Sequence, residues 1–362
     1  MVARLAARIG LKKIIHLIPF DAPGGVETAA LSAPHIRGAT FDFQVRVLFP
    51  GELTPNLWRR SLNPAAYLVW VRRLVVAAPD VLIVSLWRAA IIGVVCKRLC
   101  PSIQLVVFLH NTKFAHRVDA WATRMAVTRA TEIWSDSRAT IDATFPQFSQ
   151  LRSRIVSYIP CAFEPVADPR PAPVFVFWGR LARQKNLQRA IRLFAAVLER
   201  LPAARFAIVG PDGGEGDALR RLCRTLSLQN AVSFLGPKSQ HELPGVAQAA
   251  SFFLFTSEFE GMGLAVVEAM QMGLVPVVTK VGEVGVYCRD GVNAIVIDRD
   301  ELAVAAIIAA IEAPEAFARL RANAIATWSG KRTYRDDVLG NCARLLDGGV
   351  SENTLSERRP RS

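Results

Sequence analysis

Two glutamates, Glu260 and Glu268, flank a glycine-containing turn and are the side chains best placed to do chemistry. The apolar run 251–256 predicts a buried strand, and the run 264–272 predicts a helix that ends at Gly273. One carboxylate then lies at the carboxyl end of a strand, and the other lies inside the next helix. Ligands of open parallel sheets bind at that edge, so the two carboxylates are placed to bind hydroxyl groups of a ligand.

The same region predicts an anion site. The backbone N–H groups of Met262, Gly263 and Leu264 come before or at the helix start, so they lack intrahelical partners and can hold an anion. Earlier in the chain, Arg180 follows a predicted strand and Lys185 precedes a predicted helix. A planar arginine fork beside a compact lysine charge suits a pyrophosphate.

Two features mark the corresponding edge of the first half. Gly24 and Gly25 follow the first predicted strand and open a helix, and paired glycines let a backbone approach a ligand closely. His110 directly follows the predicted strand 104–109, where it could donate a hydrogen bond to a sugar hydroxyl or a phosphate. We therefore expect a ligand to meet both halves of the chain.

Two other segments resemble binding motifs but lack their spacing. Residues 210–216 are rich in glycine, yet they have neither the Gly-x-Gly-x-x-Gly spacing nor the Lys-Ser/Thr of a phosphate loop, so we expect a flexible turn. Asp298 and Asp300 lie beyond the last strand, where we expect a helix cap rather than a divalent cation. We predict no metal site.

The pattern along the chain predicts an α/β fold. Apolar runs alternate with helical patterns, which is typical of parallel sheets. The predicted strands are 13–17, 45–48, 81–85, 104–109, 132–135 and 155–159 in the first half, and 174–177, 205–209, 232–234, 252–256, 276–278 and 294–297 in the second. The proline-rich stretch 160–173 indicates a linker between two doubly wound, Rossmann-like sheets that face a cleft.

Four segments follow from this division. We predict a first domain over residues 1–165 and a second domain over 166–326; the family resemblance given below implies the acceptor side for the first and nucleotide-sugar binding for the second. A helical pattern covers 301–326, and a further helix over 328–346 forms the segment 327–347. The polar tail, 348–362, is expected to be disordered.

Composition limits the class of protein. The 362 residues carry a formal charge of +13, and most of that excess lies before Arg170, which suggests an anionic partner. The longest apolar runs are too short to span a membrane, and no cleavage site follows the run 14–20, so we expect a cytoplasmic protein. The six cysteines are scattered, which disfavours disulfide scaffolds and zinc sites.

The motifs together resemble those of the retaining glycosyltransferases of family 4, which have the GT-B fold. The resemblance covers about residues 12–346 and is most specific in the second half. It rests on Arg180 with Lys185, and on the run from Glu260 to Leu264 with Glu268. Supporting residues are Gly24, Gly25, His110, Ser135–Ser137 and Gly273–Val278.

The resemblance implies a role for each matching position. Arg180 and Lys185 would bind the donor's diphosphate, and Glu268 would bind the ribose hydroxyls. Glu260 would contact the donor sugar. The amides of Met262, Gly263 and Leu264 would hold sugar hydroxyls and phosphate. His110 would lie beside the transferred sugar. Gly24 and Gly25 would line the phosphate and acceptor side. The donor would be a UDP- or GDP-sugar, with no cofactor and no metal required.

The resemblance also implies a mechanism. The leaving diphosphate would accept the acceptor's proton on the face that it leaves, which gives retention. The sequence indicates no carboxylate nucleophile on the other face, and Glu260 as a covalent nucleophile is the alternative. Cations and a helix N-terminus would stabilise the charge that develops on the diphosphate.

The first half contains a candidate acceptor region. Arginine pairs alternate with aromatic residues over Trp58–Arg60 and Tyr67–Val76, which is typical of an element that binds an anionic membrane surface. The alternative is an ordinary surface helix with Leu68, Val71 and Val75 in the core. We expect a glycan or lipid-linked acceptor of the cell envelope, with the enzyme peripheral on the inner face of the plasma membrane.

Other functions remain open. A nucleotide-sugar epimerase of the same fold and a non-catalytic glycan-binding protein are both compatible with the motifs. A nucleic-acid binder is disfavoured because no zinc finger, aromatic RNA-binding signature or basic recognition helix is present. A Rossmann oxidoreductase is disfavoured by the missing Gly-x-Gly-x-x-Gly motif.

Overall fold

The chain folds into two β-sheets, each packed against helices. A computed structural model describes residues 11–21, 25–38, 40–51, 55–110, 113–145, 153–167 and 171–347. Neighbouring strands pair in parallel in both sheets except at one edge of the first, where β2 and β3 pair antiparallel. The α/β class with two doubly wound sheets is therefore confirmed.

The first sheet has seven strands in the order β2-β3-β1-β4-β5-β6-β7. The strands are β1 (Lys12–Ile18), β2 (His35–Arg37), β3 (Phe41–Val47), β4 (Val81–Ser85), β5 (Gln104–Leu109), β6 (Glu132–Ser135) and β7 (Ser153–Ile155). The helices of this half are α1 (Gly25–Leu31), α2 (Pro55–Arg60), α3 (Pro64–Ala77), α4 (Leu86–Leu99), α5 (Arg117–Val127) and α6 (Arg138–Thr144).

The second sheet has six strands in the order β10-β9-β8-β11-β12-β13. The strands are β8 (Val174–Trp178), β9 (Arg205–Val209), β10 (Val232–Gly236), β11 (Phe252–Phe255), β12 (Val275–Val278) and β13 (Ile295–Val296). The helices are α7 (Leu187–Arg200), α8 (Gly216–Thr225), α9 (Leu243–Ala247), α10 (Leu264–Gln271), α11 (Val284–Tyr287), α12 (Asp300–Glu312), α13 (Pro314–Trp328) and α14 (Tyr334–Leu346).

Central strands of both sheets are apolar on both faces because helices cover them from two sides. In β11 all four residues are buried, and the Phe252 ring stacks on Phe175 of β8 with centroids 5.1 Å apart. Helix α7 buries one apolar stripe that includes Ile191 and Phe194 and leaves its opposite face polar. This packing holds the carboxyl ends of β8 and β11 side by side.

Several predicted elements differ from the structure. The short edge strand β2 was not predicted, because it has only three residues and alternates polar with apolar side chains. The last strand of the first sheet is 153–155 rather than 155–159. The single helix predicted over 301–326 is two helices, α12 and α13, because Pro314 cannot continue the first of them.

The last helix, α14, begins at Tyr334 rather than at residue 328, and it packs on the first sheet. Arg344 forms an ion pair with buried Glu132 of β6 at 2.6 Å, and Ser157 donates its backbone N–H to Asp337 at 2.7 Å. Tyr334 is fully buried in the core of the first sheet. The predicted tail 348–362 lies outside the described residues.

Each helix in the described part of the chain is too short or too polar to cross a membrane.

Candidate functional site

The second sheet carries a cleft at the point where its strand order reverses. Strands β8 and β11 are neighbours there, and the chain leaves them towards opposite edges of the sheet. The loops at their carboxyl ends line a cleft of about 440 Å³. Its lining includes Arg180, Lys185, Gln240, Glu260 and Glu268. Four side chains predicted from separate motifs are therefore brought together in one cleft.

Hydrogen bonds between the two loops fix the positions of the charged side chains. Glu258 donates its backbone N–H to the Gln184 carbonyl at 2.9 Å, and the Thr256 hydroxyl donates to the Asn186 carbonyl at 2.9 Å. The Lys185 ammonium forms an ion pair with Glu260. Both of those side chains are mostly buried, with exposed fractions of 18% and 12%.

The Glu260 carboxylate has a second partner, the Ser257 hydroxyl, which donates to Oε1 at 3.0 Å. Arg180 extends along the same wall of the cleft, where a Cβ built on Gly213 would come within 2.9 Å of its Cγ. Lys185 and Arg180 bring two positive charges to this cleft, which Lys238 also lines.

Glu268 lies deeper in the cleft and is held by two donors. Trp178 Nε1 donates to Oε2 at 2.8 Å, and Gln240 Nε2 donates to Oε1 at 3.0 Å. Burial raises the pKa of Glu268 to about 7, against the lowering effect of these hydrogen bonds. The sequence motifs did not identify Gln240 as a partner, because it comes from a 3-10 turn far along the chain.

The turn before α10 has the geometry of an anion site. Gly263 caps the helix with φ of 69°, a left-handed conformation that favours glycine, and a Cβ there would collide with Val284. Tyr287 donates to the Met262 carbonyl at 2.9 Å and fixes the turn. The amides of Met262, Gly263 and Leu264 donate to no other described residue, so they are available to a ligand.

His110 lies on the facing edge of the first sheet, directly after β5. A Cβ built on Gly261 would come within 3.5 Å of the His110 carbonyl, so the two halves are close at this point. The imidazole is buried between the rings of Phe108 and Tyr158, with centroids 4.5 and 5.0 Å away. Burial and the neighbouring His16 ring hold the pKa of His110 well below its usual range.

A chain of hydrogen bonds links His110 to the last helix. His110 Nε2 lies 2.9 Å from Ser85 Oγ, which lies 2.8 Å from His16 Nε2, and His16 Nδ1 lies 2.6 Å from the Tyr334 hydroxyl. Burial lowers the pKa of His16 to about 3, so both imidazoles are neutral and each carries one N–H.

One direction of donation along this series of hydrogen bonds leaves the fewest polar groups without a partner. If Tyr334 donates to His16, His16 donates to Ser85, and Ser85 donates to His110 Nε2, every hydroxyl hydrogen has an acceptor. His110 Nδ1 then carries the remaining proton, and it has no partner within the described part of the chain. If the hydrogen bonds ran in the opposite direction, His110 Nδ1 would still have no partner, and the buried hydroxyl hydrogen of Tyr334 would have no acceptor.

Two carboxyl groups on the first-sheet side were not assigned by sequence reasoning. Asp136 follows β6, accepts from Thr140 Oγ1 at 3.1 Å, and has a pKa raised to about 7, mainly by burial. Burial also raises the pKa of Glu27 on α1, which lies close enough to Arg180 for that cation to oppose the shift. The absence of a carboxylate nucleophile on the other face of the donor sugar stays a prediction. Gly25 begins α1, and Gly24 lies outside the described residues.

Comparison with known proteins agrees with this geometry. Residues 162–327 match the family described as "Glycosyl transferases group 1". This range contains every cleft residue named for the second sheet. It is a little less than half of the chain and coincides with the second domain.

Curated relatives match over part of the chain. A GDP-mannose:cellobiosyl-diphosphopolyprenol alpha-mannosyltransferase of Xanthomonas oryzae is 32% identical over 138 residues, which are 38% of this chain and 36% of the relative. A D-inositol 3-phosphate glycosyltransferase of Corynebacterium jeikeium is 32% identical over 136 residues, which are 36% of this chain and 32% of that protein. The matched stretch is about a third of the length of these relatives.

Solved structures match nearly the whole chain. HepE of Anabaena, in complex with UDP and glucose, superposes with a TM-score of 0.72 at 21% identity, covering 93% of this chain and 100% of that one. Sucrose-phosphate synthase of Thermosynechococcus elongatus superposes with a TM-score of 0.73 at 17% identity, covering 93% and 99%. The chain therefore has the GT-B fold.

Proposed function

We propose that this protein is a retaining glycosyltransferase that moves a sugar from a nucleotide diphosphate sugar to an envelope or lipid-linked glycan. The observation that carries the proposal is the single cleft lined by Arg180, Lys185, Glu260 and Glu268. Arg180 and Lys185 match a diphosphate, and Glu260 and Glu268 match the hydroxyl groups of a sugar and a ribose. The family match of residues 162–327 supports the same function.

Each cleft residue has a role in this proposal. Arg180 and Lys185 bind the diphosphate, together with the free amides of Met262, Gly263 and Leu264. Glu268 accepts from the ribose hydroxyls, and Glu260 accepts from a hydroxyl of the donor sugar. His110 uses its Nδ1–H to donate to an oxygen of the transferred sugar, because its Nε2 is engaged by Ser85.

The reaction follows from where charge develops. Breaking the bond between the anomeric carbon and the diphosphate oxygen leaves positive charge on the sugar and one more negative charge on the diphosphate. Arg180, Lys185 and the α10 N-terminus stabilise that negative charge. The departing phosphate oxygen takes the proton of the acceptor hydroxyl on the same face, so the anomeric configuration is retained. No metal is required for these steps.

The acceptor side of the proposal rests on α2 and α3. Leu68 and Val76 are 69% and 79% exposed, beside exposed Arg72 and Arg73, whereas Val71 is buried. Val71 and the partly buried Val75 pack on the core, as the ordinary surface-helix interpretation expects, whereas Leu68 does not. An exposed apolar and arginine-rich face suits an anionic membrane surface at the inner face of the plasma membrane.

Thermal unfolding with a nucleotide panel tests the donor site. UDP, GDP, ADP and their sugars are added separately, and a ligand at about 100 times its dissociation constant should add about 2.7 kcal/mol to the unfolding free energy. We expect one nucleotide diphosphate family to raise Tm. Incubation with that sugar nucleotide and an acceptor should then release nucleoside diphosphate in step with glycosidic product. An isomerised sugar nucleotide without release would favour the epimerase.

Co-sedimentation with vesicles tests the membrane part separately. Binding to anionic but not neutral vesicles at low salt, weakened by the double substitution Arg72→Gln and Arg73→Gln, is the expected result. Failure to sediment with anionic vesicles would remove membrane binding and leave the donor site untouched.

A further inference from the structure

A buried arginine outside the donor cleft lies at the matching position of the first sheet. Arg88 is the third residue of α4, which follows β4 without a loop, and it is only 4% exposed. The strand order of the first sheet reverses between β1 and β4, so Arg88 lies at the edge where open α/β sheets bind ligands. The rest of the proposed site does not use it.

Aromatic rings surround the guanidinium. Its carbon lies 4.3 Å from the Trp58 ring centre, 4.2 Å from Trp87 and 5.2 Å from Phe20. The Tyr67 hydroxyl interacts with the same group and donates its own proton to the Ser61 carbonyl at 2.8 Å. Rings hold the orientation of an arginine but cannot accept its in-plane hydrogen bonds.

Two nitrogens of Arg88, Nε and Nη2, are buried and have no hydrogen-bond partner among the described residues. In the planar guanidinium, these nitrogens form one side, which is the side that grips two oxygens of a carboxylate or phosphate. No described carboxylate forms an ion pair with Arg88. A buried, unpaired donor pair is costly to maintain, and binding an oxyanion would remove that cost.

The start of α4 adds further donors. Ser85 precedes the helix but makes no side-chain cap, because its hydroxyl is engaged by His16 and His110. Leu86, at the junction of β4 and α4, adopts a left-handed conformation with φ of 65°. This conformation costs energy for a leucine and is often found at functional sites. The first backbone amides of α4 therefore have no side-chain cap. They lie at the same edge of the sheet as the free Arg88 donors.

We propose that Arg88 and the start of α4 bind a phosphate or diphosphate group of the acceptor. This inference rests on the proposed transferase function and adds a chemical class for the acceptor, a phosphorylated one. Arg88 grips two phosphate oxygens through Nε and Nη2, while Trp87 and Trp58 hold its plane. Trp58, which is 48% exposed, forms the outer wall past which the group enters. Ser85 connects this site to His110, so the bound acceptor lies beside the transferred sugar.

Fluorine NMR of protein labelled with 5-fluorotryptophan tests the site. The chain has seven tryptophans, so single Trp→Phe variants assign every resonance. Inorganic phosphate is titrated at constant ionic strength while the donor cleft is saturated with the nucleoside diphosphate that raises Tm, which is UDP for a uridine donor. We expect saturable shifts of the Trp58 and Trp87 resonances. In Arg88→Gln the affinity for phosphate should fall about 10- to 100-fold, the value of a charge-assisted hydrogen-bond pair.

Further variants separate binding from folding. Arg88→Lys keeps the charge but not the fork, so it should bind phosphate with an intermediate affinity. The Trp178 resonance reports UDP in the donor cleft, because Trp178 donates to Glu268. An unchanged UDP response in Arg88→Gln shows that the variant is folded and that the donor site is intact.

Three results would overturn the inference. Trp58 and Trp87 resonances that do not respond to phosphate would reject the site, even where Trp178 responds to UDP. Equal phosphate affinity in wild type and Arg88→Gln would assign the response to another residue. A stronger response to acetate than to phosphate would reject the phosphoryl group as the ligand. A Trp178 resonance in wild type that responds to none of UDP, GDP and ADP would instead count against the proposed donor site.

Discussion

Replacing Glu260 with glutamine should strengthen nucleotide binding while it weakens transfer. In the unliganded protein Glu260 neutralises Lys185, one of the two cations proposed to hold the diphosphate. Glutamine keeps the size of the side chain and an oxygen that can accept from Ser257, but it removes the negative charge. Lys185 then faces an incoming diphosphate without a competing carboxylate.

The size of the effect follows from the charges and their burial. Two unit charges about 4 Å apart interact by about 4 kcal/mol at an effective dielectric constant of about 20. Both side chains retain some exposure, 18% and 12%, and the cleft is open to solvent, so only part of this energy is recovered. We expect UDP or GDP to bind about 5- to 30-fold more tightly, or about 1–2 kcal/mol. Transfer should fall about 10- to 100-fold because a charged hydrogen bond to the sugar is lost.

Calorimetric titration with the nucleoside diphosphate and a steady-state transfer assay measure the two effects. Glu258→Gln is a matched control, because Glu258 is an exposed carboxylate on the same loop, and it should change neither quantity. Weaker nucleotide binding in Glu260→Gln would refute the reasoning, since Glu260 would then support the phosphate site rather than compete for Lys185.

Four further predictions concern groups whose protonation is shifted by burial. Because the pKa of Glu268 is raised to about 7, nucleotide affinity should fall as pH drops below 7, by up to about tenfold per pH unit, and Glu268→Gln should remove this dependence in calorimetry. The same pKa shift means that Glu268 contributes fully to the unfolding free energy below its ordinary pKa of 4.5 and loses this contribution as pH rises through about 7. Tm of the wild type should therefore decline over this pH range, and Tm of Glu268→Gln should not. Asp136→Asn should lower kcat by less than about tenfold, because same-face transfer needs no protein base, whereas a loss of general acid-base catalysis would cost about 10²–10⁴-fold. Tyr334→Phe should move the proton of His110 from Nδ1 towards Nε2, as measured in two-bond ¹H–¹⁵N spectra, and should lower kcat/KM about 3- to 10-fold. The control is Tyr158→Phe, which removes a buried hydroxyl bound to the Val26 carbonyl and should leave the His110 tautomer unchanged.

The second half of the fold could be predicted closely from the sequence. Its strands are continuous apolar runs, and prolines and glycines mark their ends, so local pattern and long-range packing agree. The Pro314 break between α12 and α13 was missed because apolar spacing continues through it. The edge strand β2 was missed because three residues with one apolar side chain are too few to indicate a strand.

The site could be predicted only in part, for a physical reason. Arg180, Lys185, Glu260 and Glu268 lie in short motifs after strands, where sequence spacing determines their position. Gln240, Ser85, His16 and Tyr334 act through contacts between distant elements, and no spacing in the sequence indicates those contacts. Arg88 is similar, because an arginine in an apolar helix is notable only once its unpaired nitrogens and surrounding rings are known.

The central claim is that the Lys185 ammonium holds the diphosphate of the same nucleotide whose ribose is bound by Glu268. The most direct measurement is the ratio of affinities for UDP and UMP, or for GDP and GMP, in wild type and Lys185→Ala. We expect the preference for the diphosphate to fall about 10- to 100-fold in Lys185→Ala, while affinity for the monophosphate changes little. A diphosphate preference equal to that of wild type would contradict the account.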